Sequence, residues 1–395
     1  MKKCIISLIV VCFALCFCGA GGVCYADEGD EQNLEQELGD MATEQISSLD
    51  FSELQEVLDR LGENEIKMFG STSFFDKVTR LINGDFGGGF SSFFDAFIKT
   101  MFGDILGFVP LLCTTIIITI LCSIISSLKS DKIRGVGEVV NFVCFGAVAF
   151  IISAIIVGVF TTVKETVSSM QTQMSIMFPM LLTFLASVGG TVSVGIYQPA
   201  VAILSQVVVS IFMFILMPVF VFIFVLTIVN NFTHNIKLEK MIDFFKSTLK
   251  WISTITFGAF LGVLGIQGIV AGSFDGVSIK MTKFALKSYV PILGGYLSDG
   301  FNVAMAGSIL VKNAVGVSGI ILLLSSILSP VVSILSLMLM LKLCSAILEP
   351  TTNSNIPNFL HQTSKLLGLI LMILLGVAFM YVITVGLILC TANVF

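Results

Sequence analysis

Asp299, Asn302, Lys312 and Asn313 fall within the stretch GYLSDGFNVAMAGSILVKNAVGV, residues 295–317, which otherwise has the composition of a membrane segment. A charge at lipid depth costs about 2.5–3.5 kcal/mol on insertion scales, so charges that persist there pair or face a cavity. An acid and a base so placed could neutralise each other across a helix bend and fix helix packing. The lysine alone could snorkel to the headgroups, or the whole polar set could line a path for a solute. Gln198, Gln206 and Gln267, also set in apolar runs, have the same status. Gly307, Gly316 and Gly319 on the same stretch would let a neighbouring helix approach closely.

Catalytic patterns are lacking. The acids beyond residue 104 are Asp131, Glu138, Glu165, Glu239, Asp243, Asp275, Asp299 and Glu349, and no pair has the spacing of an intramembrane protease or a zinc site. The two histidines, His234 and His361, form no HExxH motif. NGDFGGGF, residues 83–90, has four glycines but no following Lys-Ser/Thr, so it is expected to be a flexible joint and not a phosphate loop. The expectation is a protein that is not an enzyme and holds no cofactor, metal or nucleic acid.

These side chains need elements to carry them. With 56% hydrophobic and 12% charged residues, the chain of 395 residues is an integral membrane protein. Its charge is unevenly placed: Asp27 to Asp104 holds 18 acids and 5 bases, and Ile105 to Phe395 holds 8 acids and 14 bases. Lys2 and Lys3, an apolar run from Cys4 to Gly19, and then CYADEG have the layout of a secretory signal peptide cleaved between Ala26 and Asp27; the alternative is an uncleaved anchor. The expected organisation is a signal peptide over 1–26, an exported acidic region with short amphipathic helices over 27–104, and a multi-span membrane domain over 105–395. Five of the ten cysteines lie in the leader and none in the exported region, so no disulfide framework is expected.

Within 50–62, Leu54, Val57, Leu58 and Leu61 share one helical face, with Asp50 as N-cap, Glu53 completing a capping box, and Gly62 ending the run. FSSFFDAFIKTMFGDILGF, from residue 90, reads as a helix lying in the membrane interface before the first span. Runs long enough to cross about 30 Å of hydrocarbon occupy 105–128, 139–160, 251–272 and 366–391. Two longer apolar stretches, 179–232 and 291–348, align without gaps at an offset of 112 residues, pairing Pro179 with Pro291 and Pro218 with Pro330. This suggests an internal duplication, with repeats of about 139–250 and 251–365, and broken or Pro-kinked helices of the kind that build transport sites. The fold class is therefore an all-α, polytopic helical membrane protein.

Lys129, Lys132 and Arg134, and then Lys237, Lys240, Lys246 and Lys250, place two loops on the cytoplasmic side, provided that 179–232 makes an odd number of crossings. DGVSIKMTKFALKS, with three lysines, then falls outside, against the same rule.

An ordered set of short motifs carries a family resemblance: FPMLLTFLASVGG, QPA (198–200), VNN (229–231), KW (250–251), LGIQG (264–268), DGVSIKMTKFA (275–285), VPILGGYLSDG (290–300), LVKNAVGVSG (310–319) and LEP (348–350). Over about 165–395 the chain resembles the stage III sporulation protein AE family of endospore-forming bacteria. The resemblance implies a multi-pass subunit in the mother-cell membrane around the engulfed forespore, part of a channel-like, secretion-related assembly. It further implies, as partners, other stage III sporulation membrane proteins and their ATPase, besides the lipid bilayer. It brings no catalytic residue. The competing expectation, from the repeat alone, is a stand-alone secondary transporter.

Overall fold

The computed structural model describes residues 45–47, 49–84, 90–127, 134–232, 238–289, 294–351 and 355–391. Ala26, Asp27 and the glycine joint at 85–89 lie outside them. Among the described residues the chain is helical and has no strand.

Three short helices come first: α1 Ser52–Asp59, α2 Glu63–Phe69 and α3 Phe74–Ile82. Leu54, Val57 and Leu58 face inward on α1, as their spacing requires. They pack on Ile46, Phe69, Phe74 and Val78, with the rings of Phe51 and Phe74 5.4 Å apart. The cap differs from the expected box. Asp50 Oδ1 accepts the Ser52 N–H at 2.9 Å, so the carboxylate acts from one residue before the N-cap, Phe51. These bonds to Ser52 hold its carboxyl below the usual range. The return bond of a capping box appears instead at the next helix, where Glu65 accepts the Gly62 N–H at 2.7 Å. Gly62 therefore opens α2, besides following α1.

The remaining helices are long: α4 Phe90–Ser127, α5 Arg134–Ser187, α6 Thr191–Ile211, α7 Met217–Phe232, α8 Glu239–Tyr289, α9 Gly294–Leu348 and α10 Ile356–Cys390. The interfacial helix expected before the first span is absent as a separate element. Its residues form the first turns of α4, because Gly103, Gly107 and Pro110 leave the helix unbroken; prolines are tolerated in membrane helices. Among the described residues six stretches of helix are long and apolar enough to cross a membrane: Phe97–Ile125, Val139–Ser187, Thr191–Phe232, Glu239–Gly268, Asn302–Leu348 and Ile356–Cys390. At about 1.5 Å per residue, those of 49, 42 and 47 residues far exceed the roughly 30 Å of hydrocarbon. They must project beyond it.

The stretch 179–232 is divided at Val188–Gly190. Gly189 adopts φ 93°, a left-handed backbone that closes α5, and Gly190 donates to Leu185 O at 2.9 Å. A Cβ on Gly190 would collide with that Leu185 carbonyl and side chain, so the second glycine is a steric requirement. Between α6 and α7 lies one π turn, Phe212–Leu216. Pro218 follows at once; it cannot donate to Phe214 O and its ring crowds that carbonyl, which accounts for the widened turn.

Alternation of the long helices brings three connections to one end, here termed the basic end. Ser123 Oγ donates to Thr351 O at 2.9 Å, Asn355 Nδ2 to Asn231 O at 3.1 Å, and the Phe145 ring lies 5.6 Å from Phe232 and 5.3 Å from Phe359. The helix ends that bound the two segments assigned to one side therefore do share an end, because α5 runs away from it and α6–α7 returns. At the same end Cys122 and Cys144 stand opposite each other with Cα atoms 6.4 Å apart, within the range of a bridge that the sequence did not lead one to expect. The hairpin of α4 and α5 sets the two residues face to face, a proximity that the sequence spacing does not reveal.

α9 is central. It packs on α10, α4, α5 and α8 and, on its outer side, on α2 and α3. Leu328 and Val332 of α9 meet Met68, Phe97 and Met101.

Candidate functional site

Lys312 is fully buried in α9. Its Nζ donates to three carbonyls at the end of α10: Thr391 O at 2.7 Å, Leu389 O at 3.2 Å and Ile388 O at 3.5 Å. The last carbonyls of a helix lack intrahelical partners and form the negative end of its dipole. An ammonium with three donors matches that set. Lys312 neither snorkels nor pairs with Asp299. The two lie on one continuous helix, thirteen residues apart, and about 1.5 Å of rise per residue separates them by roughly 20 Å. That exceeds their combined side-chain reach. The Asp299 side chain is outside the described residues.

The other polar positions are scattered around this lock. Asn302 is exposed and Asn313 half-buried on α9, and Asn313 Oδ1 is buried with no hydrogen bond among the described residues. Gln267 on α8 is half-buried with its Oε1 in the same condition. Its neighbour Gly268 makes room for the Tyr197 hydroxyl of α6: a Cβ there would lie 3.2 Å from it. Gln206 is exposed and accepts from Gln171 Nε2 at 2.6 Å, tying α6 to α5, while Gln198 is exposed on α6. The structure does not bring these residues to one point. It spreads them over the half of the bundle remote from the basic end.

Gly316 and Gly319 act as the close-approach glycines expected of them. A Cβ on Gly316 would overlap Leu389 of α10, and one on Gly319 would overlap Met177 of α5.

Two polar features were not among the sequence candidates. The first is a stripe on α5, where Thr161, Glu165, Ser168, Thr172, Ser175, Thr183 and Ser187 recur at helical spacing, all exposed. The preceding turns expose Phe142, Phe150 and Val157 instead. Most of these hydroxyls donate within the helix, as Thr183 does to Pro179 O at 2.9 Å, which leaves their oxygen lone pairs outward. The second is an amide ring at the basic end. Asn231 Nδ2 donates to Gln362 Oε1 at 3.3 Å, Gln362 Nε2 to Asn358 Oδ1 at 3.3 Å, and Asn358 Nδ2 to Asn231 Oδ1 at 3.1 Å. Beside it, Asn230 Oδ1 accepts the Leu238 N–H at 2.7 Å, which holds the start of α8 against the end of α7.

Among the described residues no three His, Cys, Asp or Glu side chains form a group able to hold a metal ion. The chemistry on offer is hydrogen bonding and charge, spread along helices.

Residues 72–392 match the family model of stage III sporulation protein AE, which takes in α3, all six apolar stretches and both polar features. The chain belongs to the stage III sporulation protein AE family. It is similar to the stage III sporulation protein AE of Bacillus subtilis (strain 168), at 26% identity over 320 residues, covering 80% of this chain and 79% of that relative. No solved structure matches it.

The family match starts well before residue 165, where the sequence motifs suggested it. The α4–α5 hairpin and α3 are thus part of the family fold, whereas α1 and α2 precede the matched region. Within the matched region, VNN supplies the amide ring through Asn231, and LVKNAVGVSG supplies both Lys312 and its close neighbour Gly316. Spacing alone could not assign these roles, since the partners are a distant helix in one case and backbone carbonyls in the other.

Proposed function

We propose that this chain is a membrane subunit of the mother cell–forespore channel apparatus needed for spore development after engulfment. The observation that carries the reading is the family match over 72–392, which includes, among the described residues, the six apolar stretches able to cross the membrane. The helices that project beyond the hydrocarbon, and the stripe on α5, support it: they offer a polar wall, hydroxyl groups with one carboxylate at Glu165, that can meet water or other subunits outside the lipid. The protein works by assembly and not by catalysis. Other stage III sporulation membrane proteins and their ATPase are its proposed partners. It resides in the mother-cell membrane surrounding the forespore. The lysine-rich loops at the basic end face the mother-cell cytoplasm, and the N-terminal helices face the space between the two membranes.

Deletion of the gene in a spore former should arrest development after engulfment, with complementation by the intact chain. Normal numbers of heat-resistant spores in the deletion strain would refute the proposal. Solute uptake by proteoliposomes containing this protein alone would assign it to stand-alone secondary transporters; co-purification with other sporulation membrane proteins, without uptake, is the outcome expected here.

A further inference from the structure

At the basic end a cleft of about 440 Å³ opens between the first turns of α8 and α10. Lys246 and Lys250 enter it from α8, and His361 and Lys365 from α10. Among the described residues the ion pairs within 4.0 Å are Arg60–Glu56 and Lys67–Glu63, so no cleft lysine has a carboxylate partner at that range. Asp243 acts on the charge of Lys246 more strongly than Lys365 and Lys250 do, though both lysines also lie near enough to act on it. Glu239 and Asp243 on the same lining offset part of the repulsion among three ammonium groups, and an anion seated between the lysines would offset the rest.

The surroundings narrow the choice of anion. Asn358 and Gln362 on the cleft wall are held by the amide ring, so that wall is set in place while the lysines are left to turn. Ile242 and Leu369 give the cleft apolar lining. Trp251 follows Lys250 and is 68% exposed, the position of an aromatic at a membrane–water boundary. Glu239 and Asp243 also border the cleft. They disfavour a densely charged ligand but accept hydrogen bonds from hydroxyl groups. Lysines for a phosphate, carboxylates for hydroxyls and an apolar lining at the membrane edge are the recognition set of a glycerol-type phospholipid headgroup; basic pockets between membrane helices hold anionic headgroups in this way.

We propose that the α8–α10 cleft binds a phosphodiester anion, the headgroup of an anionic phospholipid of the phosphatidylglycerol type. The lipid ties the start of α8 to the start of α10 where the two meet the bilayer surface.

The test uses the full chain in nanodiscs of phosphatidylcholine with a minority of phosphatidylglycerol. Lipid retained after exchange into detergent is quantified by mass spectrometry. Wild type should retain phosphatidylglycerol well above its share of the bilayer. Each of Lys246→Gln, Lys250→Gln and Lys365→Gln should lower retention by roughly five-fold. Lys164→Gln, a lysine on α5 away from the cleft, should leave it unchanged. The wild-type comparison needs no variant to fold. Displacement of the lipid by millimolar inorganic phosphate, or a matching rise in thermal midpoint in discs of phosphatidylcholine alone, would give the site to free phosphate. Absence of enrichment in wild type together with absence of any phosphate effect, or equal losses in Lys164→Gln and the cleft variants, would overturn the proposal.

Discussion

The Lys312 ammonium donates to the carbonyl of Thr391 at 2.7 Å, joining the middle of one long helix to the last residue after another. Substitution by methionine keeps the length and removes the donors. With three carbonyls left short of a charged partner, Lys312→Met should cost about 2–3 kcal/mol and reduce accumulation of the protein in the membrane. Since the helix keeps Asp299 out of reach, Asp299→Ala should not rescue it. Thermal unfolding of the single and double variants in detergent checks this; a double variant more stable than Lys312→Met would restore the charge-pair reading.

Gly376 and Gly319 both sit where a Cβ has no room, but their neighbours differ. At Gly376 the obstacle is the Phe257 ring of α8, and at Gly319 it is the end of the Met177 side chain. A rigid ring cannot yield as a thioether can. Gly376→Ala should cost about 1–3 kcal/mol, and Gly319→Ala well under half as much. Midpoints measured side by side decide; the reverse order would show that α5 and α9 are the tighter pair.

Burial of Glu65 pushes its carboxyl above the ordinary 4.5, against the lowering effect of the Gly62 N–H. The folded state then holds the proton more tightly than the unfolded state. Stability of α1–α3 should therefore fall as pH rises from 4.5 through the raised value, and should be greatest below it. Hydrogen exchange of the amides of Ser52–Ile82 across this range should show the trend, and Glu65→Gln should flatten it.

The exposed surface of α5 changes character after Phe160, and accessibility should follow. Cysteines placed at Ser168, Ser175 and Thr183 should react with a membrane-impermeant maleimide, while those at Phe150 and Val157 should not. The comparison belongs in a background in which Cys113 of α4 and Cys390 of α10, both exposed, have been replaced. Protection of all five positions would put the stripe against a partner or in lipid.

The membrane character, the acidic N-terminal region, the four clear spans and the inward face of α1 were legible in the sequence, because each rests on composition or a short period. The stretch 179–232 was not divisible by the same means. A helix apolar all round has no period to read, and its one reversal is marked only by Gly189 and Gly190. Lys312 stood out by its charge, but its partners are backbone carbonyls at residues 388–391, which have no signature in sequence. Lys246 and Lys250 were legible as a rule about sidedness; only the side-by-side start of α8 and α10 at one end brings Lys365 to the same cavity.

The central place of α9 has a consequence for biosynthesis. Ribosomes deliver α4 and α5 first, yet the principal neighbour of α4 is α9, the fifth of the six apolar stretches to emerge. Until residues 294–348 are inserted, α4 has only α5 and α2 to pack on, and α3 lacks its main contact surface. A nascent chain cut short before α9 would leave α4 without its principal neighbour and α3 without its main support, so the docking of these early helices waits on a late one.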